Sequence, residues 1–372
     1  MSIAMIGAKL VRSPGLTGEH VQALAAQARG DLERLCEPEI IAQVELPPAA
    51  RAFLENPDCT ALAADLKWLR ASGARVLLWG EAEYPPQLAA TRGSPAALCV
   101  LGSVEALQAP QLAMVGARAA SPAGRALARE FAGALASAGL TITSGLALGI
   151  DAASHEGALA AAGRTVAVLG TGLDRVYPPE HGTLAKRIAA AGALVSEFPR
   201  GMGPQRWNFP QRNRLISGLS LGTLVVEAAA ASGSLLTARY AGEQGREVFA
   251  IPGSIRSPLS RGCHRLIRDG AHLVEAPTDV VRELGISFQS QRLAPCLAGG
   301  ADSGPGSPSG AMPLDKAYEM LLDALGFEPA TIDTLAARSG LSGESVASML
   351  LILELEGRIA PFPGGRYGRL ST

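Results

Sequence analysis

Short apolar runs alternate with amphipathic stretches through the middle of the chain. Each run has the length of a buried strand, and most are followed by a glycine-bearing loop and then by apolar residues at helical spacing. Strands that alternate with helices form a parallel sheet covered on both faces, so the pattern predicts a doubly wound α/β fold. The predicted strands are Leu112–Val115, Thr141–Thr143, Thr165–Leu169, Ala193–Val195, Thr223–Val226 and Val248–Ile251, and the predicted helices include Ala123–Ala136, Ile150–Ala162, Leu184–Ala191 and Ser232–Gln244.

The segments on either side of this region have other patterns. Helical spacing from about Leu10 to Leu69 predicts a small helical domain, followed by a strand at Arg75–Trp79 and an extended connector at Pro95–Gly102. Gly299–Gly310 has the composition of a flexible linker, and the three helical stretches and hairpin after it are the parts of a winged helix-turn-helix. The predicted domains are an N-terminal helical domain with a connector (residues 1–105), the sheet domain (106–290), the linker (291–313) and the winged-helix domain (314–372).

Composition and cysteine usage limit the class of protein and its compartment. Hydrophobic residues make up 48% of the chain and charged residues 18%, so the chain is expected to fold rather than remain disordered. The five cysteines are scattered and form no Cys-x-x-Cys pair, which predicts neither a disulfide framework nor a metal site. The sequence has no secretory signal and no apolar run of membrane-spanning length, so we expect a cytoplasmic protein with no membrane segment.

Four glycine-bearing loops follow strands or open helices of the predicted sheet. Backbone N–H groups at a helix N-terminus bind anions, so several such loops at one sheet edge predict a phosphate-bearing ligand rather than tight βα turns alone. A dinucleotide is not indicated, because Gly170–Gly172 lacks the third glycine of the fingerprint, and the Walker pattern is absent. We therefore expect no bound cofactor. The loops are Val115–Arg118, Ser144–Gly149, Gly170–Gly172 and Ser232–Ser234.

Arginines concentrate between Arg200 and Gly270, although the whole chain has a net charge of −1. This segment has ten arginines against four acidic residues. Within it, Arg206–Arg214 interleaves cations with Trp207 and Phe209, and arginine forks for phosphates beside aromatic faces for bases are typical of single-strand binding. A solvated arginine-rich surface over a core that holds the two aromatic residues explains the same pattern, and composition alone leaves both interpretations open.

Three ionisable residues near the predicted ligand edge are candidates for chemistry. Asp151 and His155 lie four residues apart at a helix start and share a face, as an acid–base pair would. We favour a helix-end role for Asp151 and a packing role for His155, because such pairs also arise structurally. Glu227 follows the strand Thr223–Val226 and is expected to be half-buried beside an arginine. No catalytic residue is predicted.

The predicted winged-helix domain has an acidic recognition helix. From Lys316 onward the chain has five basic and seven acidic residues. The helix that would enter a DNA groove has Glu344, Glu354 and Glu356 and no basic residue. Because phosphate contacts dominate DNA affinity, we favour a protein-contact or structural role for this domain.

An ordered series of motifs resembles the DNA processing protein A (DprA/Smf) family. The resemblance covers about residues 84–285 densely and the winged-helix domain by architecture. It implies a Rossmann-like core and a homodimer that binds single-stranded DNA without strong sequence preference and loads the RecA recombinase in natural transformation and recombination. It implies a sterile-alpha-motif-like N-terminal domain. It implies no enzymatic activity. The motifs are Val115–Arg118, Ser144–Asp151 with His155, Thr165–Asp174 with Tyr177-Pro178, Ser196-Glu197, Phe209–Ile216, Val226–Ala228, Ser232–Ala238 and Pro252-Gly253.

The resemblance also implies which residues contact DNA. Arg206 is the looser match, as a basic residue ahead of the Phe-Pro motif. One departure is His264, which stands where the family usually has an asparagine and is expected to alter a local hydrogen bond. The implied DNA-binding residues are Gly116, Arg118, Ser144, Gly145, Gly149, Gly170, Arg206, Phe209, Arg212, Asn213 and Arg214, with no metal site and no cofactor.

Two other functions remain as alternatives. Nucleotide phosphoribohydrolase-like enzymes have a related fold and use an acid after a strand, as Glu227 is here, but this chain has no Pro-Gly-Gly-x-Gly-Thr run before that residue. A duplex-DNA regulator acting through the winged helix is disfavoured by the acidity of that domain. Single-strand binding with recombination mediation is preferred, and the enzyme is the main alternative.

Overall fold

The computed structural model describes residues 2–285, 316–325 and 329–370. The chain divides into two units, one of residues 1–120 and 128–293 and the other of residues 121–127 and 294–372. The predicted linker at 291–313 lies outside the described residues.

Five α-helices precede the sheet in the first unit. The longest of them begins after Asp58, whose side chain accepts a hydrogen bond from Ala61 N at 2.9 Å, and ends at Gly73 in the left-handed conformation. Buried side chains such as Ile6, Leu24 and Leu54 give this region an apolar core. The helices are α1 (Ile3–Arg12), α2 (Gly18–Gln27), α3 (Pro38–Ala42), α4 (Pro48–Glu55) and α5 (Cys59–Ser72).

A nine-stranded sheet forms the centre of the first unit. Its strand order is β1-β2-β6-β5-β4-β3-β7-β8-β9, and the seven strands from β6 to β9 in that order are parallel. The predicted doubly wound α/β fold is therefore confirmed. The strands are β1 (Arg75–Leu78), β2 (Ala97–Gly102), β3 (Gln111–Val115), β4 (Thr141–Ser144), β5 (Thr165–Val168), β6 (Ala193–Ser196), β7 (Gly222–Val225), β8 (Glu247–Ala250) and β9 (His272–Leu273).

Helices cover the sheet and connect its parallel strands. Every residue of the central strands β3, β4 and β5 is buried, which is why these strands appear as continuous apolar runs rather than alternating patterns. The predicted strands and helices of this region all form, with ends that differ by at most two residues. The helices are α6 (Pro86–Ala89), α7 (Glu105–Gln108), α8 (Pro122–Ser137), α9 (Ile150–Ala160), α10 (Gly182–Ala191), α11 (Asn208–Gly218), α12 (Ser234–Glu243), α13 (Arg261–Arg268) and α14 (Pro277–Glu283).

Strands β1 and β2 extend the sheet from a part of the chain before residue 105. Strand β1 pairs with β2, and β2 pairs with β6, both in antiparallel fashion, so the sheet includes residues that the sequence pattern assigns to the N-terminal domain and connector. The division of the chain into domains stays a prediction, whereas the membership of these two strands in the sheet is a finding.

The chain reverses its direction of travel across the sheet between β3 and β7. Strands β4, β5 and β6 are added on one side of β3, and β7, β8 and β9 on the other. Ligands in such sheets bind beyond the carboxyl ends of the strands at this switch point. The order therefore places the candidate site at the loops that follow β3, β4, β5 and β7.

The second unit contains a winged-helix domain, as the sequence predicts. Three helices pack around buried residues that include Leu335, Leu350 and Leu353, and three antiparallel strands in the order β10-β12-β11 form the wing. The Ser342 side chain caps the third helix by accepting from Ser345 N at 3.2 Å. The elements are α15 (Lys316–Leu325), β10 (Ala330–Thr331), α16 (Ile332–Ser339), α17 (Gly343–Leu355), β11 (Ile359–Phe362) and β12 (Arg366–Arg369).

Within the described ranges, none of the helices combines the length and the apolar character needed to cross a bilayer.

Candidate nucleic-acid interface

Glycine loops pack closely together at the carboxyl edge of the sheet. A Cβ on Gly116 would lie 2.6 Å from Ile150 Cγ1, and a Cβ on Gly149 would lie 2.2 Å from the carbonyl oxygen of Ala117. Gly149 also has a φ of 80°, which side chains rarely adopt. These two predicted site residues are therefore required for the loops after β3 and β4 to approach each other.

The exposed part of the site is an aromatic and cationic cluster around Phe209. The half-buried Phe209 ring packs over Gly170, where an added Cβ would lie 3.0 Å from Phe209 Cδ1. The Arg118 guanidinium carbon lies 5.4 Å from the centroid of this ring, within cation–π distance. The Tyr177 ring lies on it at a centroid separation of 5.7 Å. The loop after β3 and the start of α11 thus present a positive charge and aromatic faces together.

Asn208 attaches the start of α11 to the loop after β5. Its buried side-chain amide donates to the Gly170 carbonyl at 2.9 Å and to the Gly203 carbonyl at 3.3 Å. These bonds orient the first turn of the helix, from which Phe209 projects. Asn208 is not among the site residues expected from the sequence, because an asparagine in a polar loop has no signal that separates an anchor from a surface residue.

Arg212 lies inside the molecule beneath the glycine loops. The residue is 4% exposed, and its Nη1 donates to the Val168 carbonyl at 2.9 Å. A Cβ on Gly145 would lie only 1.6 Å from the same Nη1, so the guanidinium occupies the space that this glycine leaves. Burial lowers the pKa of Arg212 to about 10, against the attraction of Asp151, and the group stays positively charged at pH 7.

Asp151 organises the loop after β4 from below. Its carboxylate accepts hydrogen bonds from Gly145 N at 3.1 Å and Ala147 N at 3.3 Å. Burial raises the pKa of Asp151, while the Arg212 charge and these hydrogen bonds oppose that shift. The residue thus holds the glycine loop that precedes α9 in place, whereas the sequence analysis favours a role at the helix end.

His155 is a neutral interior histidine. Its Nδ1 lies 2.7 Å from Thr165 Oγ1, and the Thr165 hydroxyl donates to the Ile142 carbonyl at 2.6 Å, so Nδ1 is the protonated nitrogen and donates to Thr165. Burial lowers the pKa of His155 to about 3. An uncharged imidazole bonded to Thr165 is a packing residue, and Asp151 hydrogen-bonds to backbone N–H groups instead.

The remaining predicted site residues lie before α11, on α11 and at the end of β4. Arg206 is exposed just before the helix, and the Asn213 amide donates to the Gly233 carbonyl at 3.5 Å. Arg214 forms an ion pair with Glu197 and donates to the Gly93 carbonyl at 2.6 Å, which ties α11 to the segment between α6 and β2. Ser144 is buried, and its hydroxyl donates to the Met114 carbonyl at 2.6 Å. Their predicted roles as DNA contacts stay predictions.

Backbone bonds close the switch point between β3 and β7. Ala117 N donates to the Glu227 carbonyl at 2.6 Å, and Val226 N donates to the Val115 carbonyl at 3.1 Å. At the end of β8, His264 Nε2 lies 2.9 Å from the Gly253 carbonyl, so this histidine makes a local bond to the Pro-Gly loop.

Among the side chains that the structure describes, no group of three or more His, Cys, Asp or Glu residues is arranged to hold a metal ion. The candidate site is instead a cationic and aromatic surface over a buried polar floor formed by Ser144, Asp151, His155 and Arg212.

Two family models match the chain. The model for DNA recombination-mediator protein A matches residues 75–285, and the model for the DprA winged helix domain matches residues 305–365. The first of these ranges contains the entire candidate site, including the loops after β3, β4 and β5 and the helix α11.

Known proteins and structures are similar over the same region. The protein Smf of Escherichia coli (strain K12) is 45% identical over 322 residues, which are 86% of this chain and 84% of that protein. The X-ray structure of DNA processing protein A from Streptococcus pneumoniae has a TM-score of 0.65 and 35% identity, over 76% of this chain and 99% of that chain. DNA processing protein A from Helicobacter pylori, studied structurally for its single-stranded DNA binding mode, has a TM-score of 0.52 and 28% identity over 57% of this chain and 95% of that chain.

Proposed function

The chain belongs to the DNA recombination-mediator protein A (DprA/Smf) family, and on this basis we propose that it binds single-stranded DNA without strong sequence preference. The observation that carries the proposal is the exposed Arg118 guanidinium over the Phe209 ring at the sheet edge. A cation binds any phosphate, and an aromatic face stacks any base, so this pair fits a single strand of any sequence. The single-strand binding studied in the Helicobacter pylori protein supports the same conclusion.

The exposure of each side chain suggests its proposed role in binding the strand. Arg118 and Arg206 are exposed and contact phosphates, while Phe209 stacks a base. Arg212 is buried, so it acts from beneath by holding the loop at Gly145 in place and adding positive potential to the floor. The glycines at 116, 145, 149 and 170 support this surface by letting the loops, Arg212 and Phe209 pack closely at the sheet edge.

We propose that the protein forms a homodimer through the end of the sheet that follows β7. A groove of about 710 Å³ lies there, and its lining combines apolar residues such as Leu235, Val248 and Leu266 with charged residues such as Arg239 and Glu247. Apolar surface of this kind beyond the needs of one sheet face favours pairing between copies. Sedimentation of a dimer at micromolar concentration is the expected result, and a monomer would contradict it.

We further propose that the protein loads the RecA recombinase onto single strands during DNA processing in transformation and recombination, which places it in the cytoplasm with its DNA. Gel-shift series on single-stranded and duplex DNA, each with and without RecA, test this proposal. We expect retention of single strands and enhanced RecA binding to them. Equal retention of duplex DNA, or no effect on RecA, would contradict it.

We propose a binding role rather than catalysis, because the Asp151 carboxylate and the His155 imidazole are both engaged in interior hydrogen bonds. The alternative of a nucleotide phosphoribohydrolase-like enzyme is tested by incubating the protein with nucleoside monophosphates. Release of free base that depends on Glu227 would replace the proposed function.

The binding proposal is tested by salt dependence in two variants. Loss of one phosphate contact flattens the slope of log affinity against log salt by about 0.7, so Arg118→Ala is expected to weaken binding most at low salt. Phe209→Ala is expected to cost about 1–3 kcal/mol at every salt concentration, because stacking releases no counterions. Fluorescence anisotropy with a labelled oligothymidine measures both.

Arg187→Ala, which removes an exposed arginine on α10, is the matched control and should keep the wild-type slope. The melting temperature of each variant shows whether it is folded. A folded Arg118→Ala protein with the wild-type slope would remove Arg118 from the DNA site.

A further inference from the structure

Two aromatic side chains next to Phe209 are highly exposed. Aromatic residues make up only 4% of the chain. Trp207 is nevertheless 64% exposed and Tyr177 42% exposed, and they are the two aromatics among the large exposed apolar side chains of the described residues. Because an exposed indole leaves a large apolar face in water, its location beside a candidate ligand site indicates a recognition surface.

Trp207 and Phe209 point to different sides of the first turn of α11. Trp207 shares a face with Gln211 and Arg214, four and seven positions later, and these three residues line a groove of about 390 Å³. The opposite wall of this groove includes the end of α1 and the loop between α1 and α2 at residues 13–17. Phe209 instead packs on Gly170 among the glycine loops. The groove is therefore separate from the site at Phe209, and Trp207, two positions before Phe209 in the sequence, lies at its edge.

Positive charges flank the segment that leads into Trp207. Arg175 and Arg200 have side chains that are 57% and 38% exposed, and Arg206 is exposed immediately before Trp207. The loop that contains Arg200 is held against the loop after β5, because Gly172 N donates to the Met202 carbonyl at 3.0 Å. Arg175 pairs with Asp174 at 3.9 Å and Arg200 with Asp65 at 4.0 Å, and because both guanidinium groups remain partly exposed they also face a strand that passes between Phe209 and Trp207.

Resting on the proposed function, we propose that Trp207 is a second base-stacking residue. A single strand held at Arg118 and Phe209 continues over the first turn of α11, and a neighbouring nucleobase stacks on the indole at the mouth of the groove. The strand thereby gains contacts from the N-terminal part of the chain, which forms the other wall. The ligand is a nucleobase of any type, since stacking does not select among bases.

Binding of oligothymidines to Trp207→Ala and Trp207→Phe tests the proposal in the full chain. We expect Trp207→Ala to weaken binding about fivefold or more at every salt concentration, and Trp207→Phe to stay within about twofold of wild type, because phenylalanine still stacks. On an oligonucleotide of abasic sugar-phosphate units, the difference between wild type and Trp207→Ala should vanish. Wild-type affinity of Trp207→Ala for oligothymidine would overturn the proposal.

Intrinsic fluorescence gives an independent measurement. The chain has three tryptophans, and stacking of a base on Trp207 should quench its emission. Quenching on addition of oligothymidine is expected in wild type and in Trp68→Phe, the matched control on α5, and is expected to disappear in Trp207→Phe. Persistence of the quenching in Trp207→Phe would overturn the proposal.

The outcomes separate this inference from the function on which it rests. If wild type does not bind single strands at all, the proposed function fails and this inference fails with it. If wild type binds and Trp207→Ala binds equally well, only this inference fails. If Trp207→Ala instead changes the oligomeric state with unchanged DNA affinity, the indole is a protein contact and the inference is overturned.

Discussion

Helices α11 and α17 expose opposite kinds of surface. At the start of α11, an exposed Trp207 and the half-buried Phe209 lie beside the exposed Arg118, while Arg212 is buried. Helix α17 buries residues such as Leu350 and exposes three apolar side chains along one stripe. These exposed residues are Leu351, Ile352 and Leu355, which are 59%, 42% and 81% exposed.

The two helices differ in the sign of the charged side chains that are exposed on or beside them. A phosphate backbone needs exposed cations, and the start of α11 has them on the neighbouring loops. Helix α17 has Glu344 and Glu354 beside its exposed apolar stripe, and it has no basic residue. An acidic and apolar helix face suits a protein partner and repels DNA, so a protein-contact or structural role for the winged-helix domain remains the prediction that we favour.

The largest expected effect comes from removing the buried arginine of α11. Arg212→Ala leaves the buried Asp151 carboxylate without its nearby positive charge and opens a cavity under Gly145. We expect the free energy of unfolding to fall by about 3–5 kcal/mol, measured by urea denaturation. Arg206→Ala, which removes an exposed arginine from the same segment, should change it by no more than about 0.5 kcal/mol. Equal effects of the two substitutions would contradict the assigned burial.

A smaller effect on the free energy of unfolding is expected when the pH falls, because His155 is part of the buried polar floor beneath α11. Burial lowers the pKa of His155 to about 3 from 6.5, so between these values the unfolded chain binds a proton that the folded chain does not. The free energy of unfolding therefore falls as pH decreases from about 6.5, by at most about 1.4 kcal/mol per pH unit from this residue. His155→Asn, which keeps a donor toward Thr165, removes this dependence.

Urea denaturation of wild type and His155→Asn at pH 7, 6 and 5 measures the difference. Burial raises the pKa values of Asp151 and Glu197, which gives the opposite dependence on pH, but both residues are present in the two proteins and cancel in the comparison. Parallel pH curves for the two proteins would show that His155 is not the buried neutral group.

The strands that are buried on both faces of the sheet were predictable from the sequence. Strands such as β3 are buried on both faces, and their continuous apolar runs identify them without knowledge of their neighbours. Strand β2 was predicted only as an extended connector, because its place in the sheet depends on antiparallel pairing with β6, nearly a hundred residues away. Such long-range pairing leaves no local signal.

The location of the candidate site was more predictable from the sequence than the roles of its individual residues. Its glycine loops and Phe209 come from motifs along the chain, and the structure brings them to one edge. The burial of Arg212 depends on the missing side chain of Gly145, and the ion pair of Arg214 depends on Glu197. Because these partners lie on other elements, arginines in one short segment could not be sorted into exposed and interior groups from the sequence.

The smallest expected effect tests α17 directly. The apolar core of the winged-helix domain consists of its own residues, and its third helix offers no cation to a phosphate. Deletion of residues 311–372 should therefore leave the affinity for an oligothymidine within about twofold of wild type and leave the salt slope unchanged. Fluorescence anisotropy on the full and shortened chains measures both quantities. A large loss of affinity with a flatter slope would mean that this domain contributes phosphate contacts, and α17 would then resemble α11 in function despite its acidic surface.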